Sequence, residues 1–319
     1  MALIEGTSPP LATSRRRIGD SIFKWWTWLM AALLVVIMLL LVYELIDGAK
    51  LGLEKFGWRF LTESSWDPVT DRFGAWPAIF GTLVSSLLAL AVAGPLGLLA
   101  AIFLAEIAPA WLESPLSFLI ELLASVPSVV YGLWGLYVMV PVMRDPVQTW
   151  LSTRLGSLPV FACQPLGIGM MSAVAILSIM ILPYGISVAR DVLRAVPNEQ
   201  REAMLALGAT RWETIWRVVV PFARSGIIGG LLLALGRAVG ETMAVTMLIG
   251  NRAQVSGCLF SPAYTLSSQI ANEFTESVSP MHISALMELG LVLFAITLLL
   301  NGAARLLVWR VSRGNPMGR

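Results

Sequence analysis

Charge is scarce in this chain: of 319 residues only 13% are Asp, Glu, Lys or Arg, against about a quarter in a soluble domain, while 57% are hydrophobic. An ordinary soluble globular domain is excluded. The net charge of +2, with its basic residues scattered among short segments, also excludes the basic stripe of a nucleic-acid binder. Histidine occurs once, as His282; one histidine makes no metal site, and its place in a connection expected on the outer side makes a surface residue the default. The sequence has no phosphate-binding G-x-x-x-x-G-K-[ST] loop. Energy for any work must therefore come from another chain or from an ion gradient. Low-complexity tracts, internal repeats and a separate soluble domain are not discernible.

What the chain has in abundance is apolar run. Residues 25–43, 80–105, 116–142, 168–189, 227–249 and 284–308 each approach or exceed the roughly 20 residues that cross a hydrocarbon core as a helix. An all-α membrane protein with about six spans is expected, organised as one membrane domain at 25–310 between cytoplasmic tails at 1–24 and 311–319. The first run is too long for a removable signal and no small-residue cleavage site follows it, so it is expected as a retained helix anchored by Trp25, Trp26 and Trp28. Lys and Arg fix the orientation, because cytoplasmic ends hold an excess of them. With the N-terminus inside, fourteen fall in inner segments and seven in outer ones. Both termini are expected in the cytoplasm of an inner-membrane, multi-pass protein.

Cys163 and Cys258 both fall in connections expected outside, where an oxidising compartment lets thiols pair. A disulfide and two independent small residues are both open readings, and geometry decides. The outer connections at 47–76 and 144–167 are rich in turn residues and suit either partner surfaces or plain linkers.

The connection at 196–221 is different. Pro197-Asn198 offers an N-cap before a helical stretch, Gly208 a stop, and Thr210-Arg211-Trp212-Glu213 the spacing of a capping box. Trp212, Ile215, Trp216 and Val219 then follow an i, i+3, i+4, i+7 rhythm, with Pro221 expected to end the helix. Such a helix–turn–helix suits a groove on a cytoplasmic partner; packing along the membrane surface is the alternative.

Glu202-Ala203-Met204, Gly208 and Pro221 resemble the E-A-A…G…I-x-L-P loop of importer-class ABC permeases, with Met204 in the second Ala place, Val218 for Ile and Val220 for Leu. The stretches Ile181-Leu182-Pro183-Tyr184, Ala189-Arg190-Asp191-Val192, 120–132, 236–245 and Ala285-Leu286-Met287-Glu288-Leu289-Gly290 are similar to phosphate permeases of the PstC type. The likeness runs from about Gly74 to the last span. It implies an importer-type permease fold and a phosphate-importing function. The implied partners are a sister permease subunit in a heterodimer, a dimer of ATPase subunits that uses the ATP, and a periplasmic phosphate-binding protein. No cofactor is expected in this chain. The coupling-loop residues carried over are Glu202, Ala203, Gly208, Trp212, Trp216 and Pro221.

Arg237 and Glu241 lie inside the fifth run, where an arginine costs ~2.5–3.5 kcal/mol on insertion scales and should face the protein interior. Four residues apart, they are expected on one helical face. One reading places the guanidinium on the translocation route, gripping a phosphate oxygen pair with Glu241 as competing anion. The other is a buried ion pair that fixes helix packing. Gly229, Gly230, Gly236 and Gly240 add small residues along the same run, the last two in G-x-x-x-G spacing. Glu288 is expected in the hydrated interface, and Glu121 there or at a working site. Pro127 and Pro183 interrupt spans as kinks. The competing function classes are the same machine for sulfate or molybdate, an ion-coupled secondary transporter, and a signalling scaffold.

Overall fold

The computed structural model describes residues 14–313, and helices supply nearly all of their regular structure. An isolated antiparallel bridge between Asp67 and Arg72 is the only extended pairing among the described residues. In chain order the helices are α1 (Ser14–Gly48), α2 (Lys50–Phe56), α3 (Trp76–Ile107), α4 (Ala110–Ser125), α5 (Ser128–Leu155), α6 (Met170–Arg194), α7 (Asn198–Ala206), α8 (Arg211–Gly240), α9 (Met243–Leu248), α10 (Leu266–Glu273) and α11 (Pro280–Arg313). Five of them, α1, α3, α6, α8 and α11, are long and apolar enough to cross a membrane, and α4 with α5 makes a sixth, bent by 93°.

Several boundaries differ from expectation. Helix α1 begins at Ser14, inside the segment expected as a tail; residues 1–13 and 314–319, with most of the expected C-terminal tail, lie outside the described residues. The run at 116–142 is not one straight helix. Val126 and Pro127 are extended, with ψ of 128° and 139°, because the proline ring disfavours the α-conformation in the residue before it. Beyond the break the chain is helical through the expected outer loop to Leu155. Pro183, by contrast, sits inside an unbroken α6.

Helix α8 also departs from expectation, since Pro221 does not end the docking helix. Ile215–Val219 widens into a π-wound turn, Val220 donates to the Ile215 carbonyl, and the helix runs on to Gly240. A proline has no N–H to give, and the wider turn absorbs that loss. Gly135–Met139 does the same ahead of Val140 and Pro141.

Helix α6 is the centre of the body. Half of its apolar window is buried inside the protein, whereas none of α1's is. Ala173, Leu177 and Ile181 of α6 share one core with Ala89 and Ala93 of α3 and Ala234 and Ala238 of α8. Small side chains dominate because lipid gives no hydrophobic drive for helices to associate, so close van der Waals approach must do it. The closest approach of α8 to α6 uses Gly226 and Gly230: a Cβ there would stand 2.4 Å and 2.9 Å from Val192 and Val188. Gly229, Gly236 and Gly240 have open space instead, so the packing glycines lie one turn or more before the G-x-x-x-G pair at 236 and 240.

The connection at 47–76 is a folded cap. Phe60 and Phe73 are fully buried, together with Leu266 of α10 and Leu286 and Leu289 of α11. His282 is buried too, correcting its expected place on the surface: it stacks on Phe73 with centroids 5.3 Å apart and meets Glu273 at 3.0 Å. The Trp66 indole donates to the same carboxylate at 2.7 Å. Glu288 is likewise buried, against the expectation of interface hydration, and lies over Gly52, where a Cβ would stand 2.6 Å from its Oε2.

Candidate functional site

Arg237 occupies the last turn of α8, and the helix stops at Gly240. Glu241 is extended, with φ −70° and ψ 127°, so it does not continue the face that carries Arg237. The expected pairing is absent: among the described residues the ion pairs do not join Arg237 to Glu241. The buried Glu241 side chain instead accepts a long bond of 3.5 Å from the Ala244 amide in the first turn of α9, and its carbonyl accepts from Ser267 Oγ at 2.8 Å. Neither the competing-anion reading nor the paired-packing reading has its contact here.

The guanidinium of Arg237 lies over the ring of Tyr184 on α6, 4.4 Å from its centroid. Its Nε is buried with no hydrogen-bond partner among the described residues. The ring and the guanidinium are thus in cation–π contact, with the Nε donor left unused. Sequence reasoning singled out Tyr184 only as part of a familiar stretch; sixty residues of separation from its other partner, Ala124, gave no signal.

At the other end of the molecule, α7 and the start of α8 form the helix–turn–helix. Pro197, and not Asn198, is the N-cap of α7. Gly208 has φ +84°, and the bond from the Ala209 amide to the Met204 carbonyl closes the helix end. Nothing lies within 4 Å of a Cβ built on Gly208, so conformation and not space requires glycine. The capping box is formed: Thr210 Oγ1 accepts from the Glu213 amide at 3.2 Å, and the Glu213 carboxylate accepts from the Thr210 amide at 3.0 Å.

The expected apolar stripe divides in two. Ile215 and Val219 are buried against α3 and α6, while Trp212 and Trp216 are 58% and 39% exposed and stack edge to face at 5.5 Å. Glu202 and Ala203 are also exposed. The anchoring residue, which the sequence did not reveal, is Arg201. It holds Glu106 at the end of α3 through two bonds of 2.7 Å and 3.3 Å, and donates to the Leu193 carbonyl at 2.9 Å and to the Val196 carbonyl. Nearby, α4 is tied to α6 by Arg194 with Glu113 and by Arg190 with Glu121 at 3.5 Å. Glu121 thus has a cationic partner.

Cys163 and Cys258 are joined as a disulfide, with Cα atoms 6.3 Å apart, linking the connection before α6 to the one after α9. The Leu259 amide bonds the Val160 carbonyl at 3.0 Å alongside. Among the described residues no three His, Cys, Asp or Glu side chains gather into a group that could hold a metal.

Residues 93–313 match the family described as binding-protein-dependent transport system inner membrane component. The chain belongs to that family. Among curated relatives of this inner membrane component, the phosphate transport system permease protein PstC of Mesorhizobium japonicum is 43% identical over 321 residues, 98% of each chain. The protein of the same name from Haemophilus influenzae is 43% identical, covering 92% of this chain and 94% of its own. The probable PstC of Methanocaldococcus jannaschii is 36% identical over 81% of this chain and 84% of its own. Among solved structures, a bacterial ABC transporter involved in import of the acidic polysaccharide alginate superposes with TM-score 0.59 at 18% identity, covering 91% of this chain and 98% of that one. An inward-facing MetNI methionine ABC transporter gives 0.53 at 20% identity, covering 75% and 94%. These structural neighbours establish the importer-permease fold.

Proposed function

We propose that the chain is the permease subunit of an ATP-binding-cassette importer that carries inorganic phosphate across the inner membrane. The observation that carries this reading is the end-to-end likeness to proteins named phosphate transport system permease. Arg237 supports it as the residue that meets the anion: it is the one basic side chain inside the fifth apolar run, with its guanidinium over the ring of Tyr184 and its Nε unclaimed. Glu241, four residues further on, accepts from the Ala244 amide at the start of α9.

The elbow of α7 and α8 is read as the coupling element. Glu202, Ala203, Trp212 and Trp216 meet a separate ATPase subunit, Gly208 sets the elbow, and Pro221 lies where the elbow passes into the bundle. ATP is bound and hydrolysed by that partner, and this chain needs no cofactor of its own. A sister permease completes the membrane core as a heterodimer, and a periplasmic binding protein delivers phosphate from the side of the disulfide. Both termini then lie in the cytoplasm, as the distribution of Lys and Arg favours.

The decisive experiment is ATP-dependent uptake of labelled phosphate into liposomes holding the four components, with sulfate and molybdate as competitors. Uptake that needs ATP and ignores the competitors is the expected result. Uptake without ATP moves the chain to the ion-coupled class, and competition by sulfate keeps the machine and changes its cargo.

A further inference from the structure

A helix that stops within a membrane leaves its last carbonyls without amide partners, and lipid cannot supply them. Helix α4 stops at Ser125, and three successive carbonyls of its last turn receive hydroxyls. Leu122 accepts from Ser125 at 2.8 Å, Leu123 from Tyr131 at 2.9 Å, and Ala124 from Tyr184 at 2.9 Å. Tyr184 therefore has two attachments: its hydroxyl is fixed to the break between α4 and α5, and its ring lies against the Arg237 guanidinium at 4.4 Å.

We propose that Tyr184 is a positioning residue for the transported oxyanion: its ring seats the Arg237 guanidinium where the anion meets it, and its hydroxyl anchors that ring to the Ala124 carbonyl at the end of α4. The inference rests on the reading of Arg237 as the anion-binding residue.

The test uses the complete transporter in liposomes, with Tyr184→Phe, Tyr184→Leu and Arg237→Gln studied side by side. Three quantities are read: ATP-dependent uptake of labelled phosphate, co-purification of the subunits, and protection of Arg237 by phosphate against phenylglyoxal, followed by peptide mass. The phenylalanine variant keeps the ring and is expected to transport within about threefold of the wild type, whereas leucine lowers uptake about tenfold with the subunits still together, as loss of a desolvated cation–π contact implies. Phosphate protects Arg237 in the wild type and the phenylalanine variant but not in the leucine variant.

Wild-type uptake by the leucine variant overturns the proposal, as does a phenylalanine variant that fails to assemble or loses phosphate protection. Arg237→Gln separates the two readings. If it transports normally, the assignment of Arg237 itself fails; if it is inactive while Tyr184→Leu is active, only the role of Tyr184 is lost.

Discussion

Arg201 and Glu106 form a two-pronged ion pair that fastens the helical elbow to the end of α3, with both side chains largely buried. The elbow is thereby joined to a helix that packs along the centre of the bundle, because α3 and α6 share their core. Glu106→Gln keeps the shape and removes the charge. It is expected to lower stability by about 1.5–3 kcal/mol, the range for hydrogen bonds to charged groups, and to reduce phosphate uptake per ATP hydrolysed. A lower melting temperature in detergent together with a changed uptake-to-hydrolysis ratio is the measurement; an unchanged ratio would show that the pair only stabilises.

The divided stripe on α8 makes opposite predictions for neighbouring residues. Ile215→Ala opens a cavity beneath the elbow and should cost about 2–5 kcal/mol, read as a fall in melting temperature of the isolated subunit. Trp212→Ala and Trp216→Ala should leave that temperature nearly unchanged and abolish co-purification of the ATPase. Equal thermal effects at all three positions would contradict the division.

Gly208→Ala forces a side chain into a left-handed conformation, at about 1–2 kcal/mol, although space is free around it. Coupled uptake should fall while Gly208→Asn, which tolerates that conformation better, recovers most of it. Equal loss in both variants would mean that bulk, and not backbone conformation, matters at the elbow.

The link between Cys163 and Cys258 closes a separation of 95 residues. Both thiols should resist maleimide labelling until a reductant is added. Replacing the pair by serine should destabilise the outer connections by about 2–4 kcal/mol, read as faster proteolysis of the segment between α9 and α10. Labelling without reductant would show the cysteines to be free.

Much of the fold was legible because membrane spans announce themselves by length and composition. The six apolar runs lie where the five long helices and the bent pair stand. The capping box at Thr210 and Glu213 was equally readable, since its chemistry is local. What the sequence could not convey is how a proline is accommodated. Pro127 breaks a helix, Pro183 is carried inside one, and Pro221 is absorbed by a widened turn, with the outcome set by packing and not by the residue itself. The same limit applies to Arg237. Its spacing from Glu241 suggested a shared face, but a helix end at Gly240 separates them, and the aromatic partner comes from another helix. His282 and Glu288 were misplaced for a related reason, because a folded cap between distant segments buries what a linear reading leaves at the surface.

The lack of burial along α1 has a consequence for how the sequence can vary. Its apolar window contributes nothing to the interior of the chain, so whatever covers Leu33 to Leu41 comes from outside, as lipid or as another subunit. Exchanges among Leu, Val, Ile and Met in that stretch leave the interior of the chain untouched, whereas the same exchanges at Leu177 or Ile181 would disturb the fit of three helices at once. The first helix meets the body of the protein near its C-terminal end, where Leu45 and Gly48 face Gly290 and Met287 of α11.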